Sequence, residues 1–81
     1  MTRDKEILIQ VGDRIRAARK KAEISQEQLG HLSGLHRTYI GCVERGERNI
    51  STLNLLSITS VLGIDAGEII TGLKRPPRLK P

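Results

Sequence analysis

Apolar residues along this chain recur at steps of three and four. Leu8, Val11, Ile15, Ala18 and Ala22 trace one stripe on a helix. Its outer face carries Arg14, Arg16, Arg19, Lys20 and Lys21, and cations near a helix C-terminus also suit the helix dipole. In AEISQEQLGHLSGL, Ser25 and Gln28 have capping-box spacing, which predicts a second helix from about Gln26. Leu29 and Leu32 give it an inner face, and Gly34 ends it within roughly two to three turns. A third helix is predicted from near His36 to about Arg45, where Gly46 stops it. A fourth follows the cap Ser51, buries Leu55, Ile58 and Leu62, and closes at Gly63. Asp65 and Glu68 repeat the capping-box spacing and predict a short fifth helix in DAGEIITG. No strand pattern or repeat is present. The pattern therefore predicts an all-α domain of five helices over residues 7–73. An N-terminal flank, residues 1–6, precedes it, and a basic, proline-stiffened tail, residues 74–81, follows.

Composition narrows the class. At 81 residues this is one small domain, and with no Trp, no Phe and one Tyr its core must be aliphatic. A single cysteine excludes an internal disulfide and fits a reducing compartment such as the cytoplasm. Without CxxC, HExxH or a His/Cys cluster, no metal or other cofactor is expected. The segment MTRDKEILIQ lacks the apolar run of a signal peptide or membrane span. Fourteen Lys and Arg against nine Asp and Glu give a formal charge of +5, which favours an anionic partner.

The run HRTYIGCVERGERN, residues 36–49, carries more polar chemistry than a core helix needs. Two short helices joined by a tight glycine turn form a helix-turn-helix, whose second helix lies in the DNA major groove. Gly30 is small where the two helices approach closely, and Gly34 sits where the turn needs a positive φ. Leu29, Leu35, Ile40 and Val43 bury the seam. With Ile40 inward, His36 and Val43 point nearly the same way, while Thr38, Gly41, Cys42 and Arg45 point out and Arg37 flanks them. Arginine can clamp guanine O6 and N7 with two hydrogen bonds, and threonine can meet a base edge or a thymine methyl. Gly41 would let the helix approach the groove floor.

The run SQEQLGHLSGLHRTYIGCVERG resembles Cro/C1-type, lambda-repressor-like helix-turn-helix domains over about residues 8–72, with Gln26, Gly34, Ile40, Glu44 and Gly46 in place. RTYIGCVERGERN further resembles the restriction–modification controller proteins, small dimeric regulators that time a restriction endonuclease against its methyltransferase. The resemblance implies double-stranded DNA as partner, read by Arg37, Thr38, Cys42 and the loop residue Arg48. It assigns backbone contacts to Ser25, Gln26, Tyr39, Arg45 and Asn49, and an ion pair to Arg19 and Glu44. It also implies a homodimer through the last helix, where Ile69, Ile70 and Leu73 cannot all face so small a core. Gly30 replaces the family's more usual alanine, and Ser33 stands where an apolar residue is common.

Other readings carry less. Cys42 and His36 point about 120° apart on one helix, and Glu44 with Glu47 has no cleft, so no enzyme is expected. His31 reads as a solvated residue or a minor phosphate contact. Single-strand RNA modules need stacking aromatics that this chain lacks. The alternatives are an antitoxin, a Cro-like phage or plasmid repressor, or a protein–protein adaptor of the same fold. An adaptor need not keep a basic reading face. An activator would also contact RNA polymerase, and no small-molecule effector is expected.

Overall fold

The computed structural model describes residues 3–77. They form α1 (Arg3–Lys21), α2 (Gln26–Ser33), α3 (Arg37–Glu44), α4 (Thr52–Leu62) and α5 (Ala66–Ile70), and the described residues contain no strand. Residues 1–2 of the expected flank and 78–81 of the expected tail lie outside the described residues.

Helix α1 begins five residues ahead of the Leu8 stripe. Asp4 and Glu6 in its first turn favour the positive end of the dipole, and Ile7 packs against the core. Residues 3–6 of the expected flank are therefore helical. At the other end the stripe stops short of Ala22, which is exposed because the chain leaves the helix at Lys21 and turns through Glu23 at φ 60°.

The core is aliphatic: Val11, Ile15, Leu29, Ile40, Val43, Leu55, Ile58 and Ile69. Leu32, expected inside, is 60% exposed. Helix α2 buries Leu29 and Gly30, and at 100° per residue Leu32 lies about 110° from the middle of that arc. Ser33 sits half-buried with its hydroxyl donating to the Leu29 carbonyl at 2.7 Å, so this corner holds a satisfied polar group. Ile69 is 2% exposed in its own chain's core, which removes it from any self-association surface; Ile70, one step of about 100° away, is 51% exposed.

Close backbone approaches set the position of α3. A Cβ on Gly12 would land on the Val43 carbonyl oxygen and lie 2.5 Å from that of Glu44, so α1 crosses directly over the C-terminal end of α3. A Cβ on Gly30 would lie 2.5 Å from the Leu35 carbonyl oxygen, which accounts for glycine in place of alanine. Gly34 caps α2 at φ 75°, and the Leu35 N–H donates to the Gly30 carbonyl at 2.8 Å, closing the turn. Arg14, assigned to the outer face, instead donates to the carbonyls of Ile69 and Thr71 at 3.0 and 2.7 Å and holds the end of α5.

Candidate nucleic-acid interface

Helix α3 is eight residues long and has two unlike ends. At its C-terminal end Val43, Glu44 and Gly46 are buried. The Arg19 guanidinium grips the Glu44 carboxylate through Nε at 2.7 Å and Nη2 at 3.0 Å, with side chains only 9% and 2% exposed. Arg19 Nη1 also donates to the Ile24 carbonyl at 2.9 Å, and Gln26 Nε2 donates to Glu44 Oε1 at 3.0 Å. No buried polar side-chain atom lacks a partner among the described residues. The hydrogen bonds that Arg19 donates to the Glu44 carboxylate raise its pKa above the ordinary value, so the guanidinium stays charged.

The N-terminal end is open. His36, placed near the inward direction by wheel arithmetic, is exposed and serves as N-cap, its Nδ1 accepting from the Thr38 N–H at 3.0 Å. It sits outside the helix with extended backbone (φ −71°, ψ 143°), so helical phase does not apply to it. Arg37 and Thr38 are exposed on the first turn. Arg37 Nη1 lies 3.5 Å from the Glu27 carboxylate across the turn, a solvated pair of small energetic weight.

The flanking groups gather around this turn. Ser25 caps α2 by accepting from the Gln28 N–H at 3.0 Å, while the Gln28 side chain accepts from the Ser25 N–H at 2.7 Å. Gln26 commits one amide hydrogen to Glu44 and keeps the other. Arg45 folds back through a fork to Glu47, at 3.0 and 3.2 Å, with its Nη2 3.6 Å from Cys42 Sγ. That fork raises the Arg45 pKa and holds the Glu47 carboxyl below its ordinary range. In this pose Gly41, expected to face a groove floor, is buried, and its missing Cβ would point at Arg45 Nη1 and Gln26 Oε1, 3.2 and 3.5 Å away. Arg48 lies over the Tyr39 ring, 5.3 Å from its centroid.

Arg37, Thr38 and Tyr39 thus share one turn, Cys42 and Arg45 the next, and Arg48 joins them through Tyr39. Asn49 lies elsewhere, lining an apolar groove with Leu8, Val11 and Ile70. Sequence reasoning read Glu47 as an ion-pair partner without naming Arg45, and did not find Glu27 or Asn54, which donates to the Tyr39 hydroxyl at 3.1 Å. Only Glu47 carried a signal, as an acidic residue two positions from Arg45.

Among the described residues, no helix is long and apolar enough to cross a membrane. The helix-turn-helix family pattern matches residues 15–69. The control protein C.SmaI of Serratia marcescens is 44% identical over 72 residues, 86% of this chain and 82% of that protein. The crystal structure of the restriction–modification controller protein C.AhdI from Aeromonas hydrophila superposes with a TM-score of 0.75 at 45% identity, over 76% of this chain and 94% of that one. The P22 c2 repressor, solved in complex with a synthetic operator, superposes with a TM-score of 0.72 at 35% identity, over 76% of this chain and 94% of that one. The chain belongs to the Cro/C1-type helix-turn-helix family of DNA-binding transcription regulators, and within it is similar to the restriction–modification controller proteins.

Proposed function

We propose that the chain is a controller-type regulator acting in the cytoplasm of a prokaryote, which binds a pseudo-palindromic operator as a homodimer. The observation that carries the reading is the division of α3. Its C-terminal half is locked into the core, while Arg37 and Thr38 are presented on an exposed first turn. In the proposed complex Arg37 clamps a guanine, and Thr38 and Cys42 meet neighbouring base edges. Arg48 reaches the DNA from the loop. Ser25, Gln26, Tyr39 and Arg45 contact the phosphate backbone, whereas Asn49, in the apolar groove beside Ile70, does not share their face. Arg45 must first leave Glu47, and that movement also uncovers Gly41.

One module makes few base contacts, so specific binding favours pairing. The surface for it is the apolar strip of Ile70 and Leu73 beside Leu56 and the exposed part of Ile7 and Leu8. A two-fold dimer would set two α3 helices one DNA turn apart, about 34 Å.

The test is footprinting on DNA upstream of the chain's own gene, followed by titration of Arg37→Ala on that site and on random duplex. Loss of roughly 1–3 kcal/mol on the site alone, with discrimination flattened at one base pair, supports base readout. Equal weakening on both duplexes makes Arg37 a phosphate contact. Binding insensitive to salt would reject the interface altogether.

A further inference from the structure

We infer that Asn54 of α4 is a positioning residue for DNA recognition: it fixes Tyr39 and, through the Tyr39 ring, the loop residue Arg48. The inference rests on the role proposed above for Arg48. Asn54 Nδ2 donates to Tyr39 Oη at 3.1 Å in a partly buried setting. The Arg48 guanidinium lies over that ring, 5.3 Å from its centroid, within cation–π range. Asn54 itself is anchored, because its backbone N–H donates to Ser51 Oγ, the cap of α4, at 3.1 Å. The donor therefore sits on a fixed helix end, and the chain of contacts joins α4, α3 and the loop between them.

Two physical effects follow. A free arginine side chain loses rotamer entropy when DNA fixes it, and a stack on a held ring removes part of that loss before binding. The tyrosine hydroxyl has one proton and two lone pairs. Asn54 occupies a lone pair, so the proton stays available for a phosphate oxygen, and accepting a hydrogen bond strengthens its donation.

The chain has one tyrosine and no tryptophan, so its intrinsic fluorescence reports Tyr39 alone. In the free protein, Asn54→Ala should change tyrosine emission and move the Arg48 side-chain protons toward solvent-like NMR shifts as they leave the ring. On the operator, Asn54→Ala and Tyr39→Phe should each weaken binding roughly 3- to 10-fold, the loss of about one hydrogen bond. Neither change removes a positive charge, so the salt dependence of binding should stay as in wild type on operator and random duplex alike. Asn54→Ala should add nothing to Tyr39→Phe, and beside Arg48→Ala it should cost clearly less than it does alone. Tyr39→Phe keeps the ring, so its Arg48 shifts in the free protein test the same hydrogen bond even if Asn54→Ala folds poorly. Unchanged Arg48 shifts would overturn the link itself. So would an Asn54→Ala loss that persists in full beside Arg48→Ala. If the free-protein signals respond yet Arg48→Ala binds the operator like wild type, the role of Arg48 on DNA fails, and with it the positioning function.

Discussion

Replacing Gly12 by alanine is expected to destabilise the domain, although the same change inside most helices stabilises. Removing glycine from a helix interior normally gains about 1 kcal/mol. At Gly12 the added methyl would overlap the Val43 carbonyl oxygen and lie 2.5 and 2.8 Å from the Glu44 carbonyl oxygen and carbon. These are backbone atoms at the end of α3, unable to rotate aside. Relief needs α1 to move by about 1 Å, and a gap of that size forfeits a quarter to a half of each dispersion contact it opens. Ile15 and Val43, at 0% and 1% exposure, lie on the surface that would part. Overpacking of this kind costs about 1–3 kcal/mol, and a clash with fixed backbone belongs at the upper end. After the propensity gain, a net loss of roughly 2 kcal/mol remains, worth on the order of 10 °C in Tm for a domain of this size. Gly67 supplies the control, since it is helical with nothing within 4 Å of its Cβ position, and Gly67→Ala should gain about 0.5–1 kcal/mol. Urea unfolding followed by circular dichroism, at one fixed protein concentration, measures both. A Gly12→Ala protein as stable as wild type would refute the close crossing of α1 over α3.

Three other experiments test other parts of the molecule. Arg19→Met and Glu44→Gln should each cost about 3 kcal/mol by stranding a buried partner, with coupling on the order of 2 kcal/mol in a double-mutant cycle; additive losses would count against the pair. Ile70→Asp should give a folded monomer with weak operator binding by sedimentation and titration, whereas Ile69→Asp should unfold the chain; wild-type mass for Ile70→Asp would exclude this surface. Glu47→Gln should tighten binding to any duplex, most at low salt, because it frees Arg45 and removes a negative charge; unchanged affinity would mean that the fork does not compete with phosphate. The Glu47 carboxyl is depressed by Arg45, so whatever stability the fork adds is present above the unfolded carboxylate pKa and lost as pH falls through the depressed folded value, a dependence that Glu47→Gln should abolish in acid titrations.

The helices and their caps could be read from the sequence because their signals are local. Ser25, Ser51, Gly34 and Gly63 stand where the spacing put them. Long-range pairing left no such local trace, and only the family resemblance joined Arg19 to Glu44. Helical phase put Arg19 on the solvent side with Lys20, yet its carboxylate partner lies 25 residues away and folding alone brings the two together. Leu32 shows the converse: an apolar residue at good spacing stays outside because Gly30 draws the helix in along a different line. On the reading face, the choice of Arg37 and Thr38 rested on their place in the first turn of α3. The carboxylates beside the arginines, and Asn54 behind Tyr39, depend on tertiary approach and cannot be counted off along a chain.

The uneven anchoring of α3 bears on how such proteins diversify. Gly12, Gly46 and the Arg19–Glu44 grip all act on its last turn, whereas the exposed side chains of Arg37 and Thr38 are outside the core, and the solvated Arg37–Glu27 pair adds little. On the proposed readout, substitutions at these two positions alter which bases are preferred with little effect on stability. Selection can explore new operators there without first acquiring compensating changes in the core. A lineage that must keep its regulator matched to a drifting promoter gains from that separation. An engineer retargeting the domain can randomise residues 37 and 38 and leave the last turn of α3 untouched.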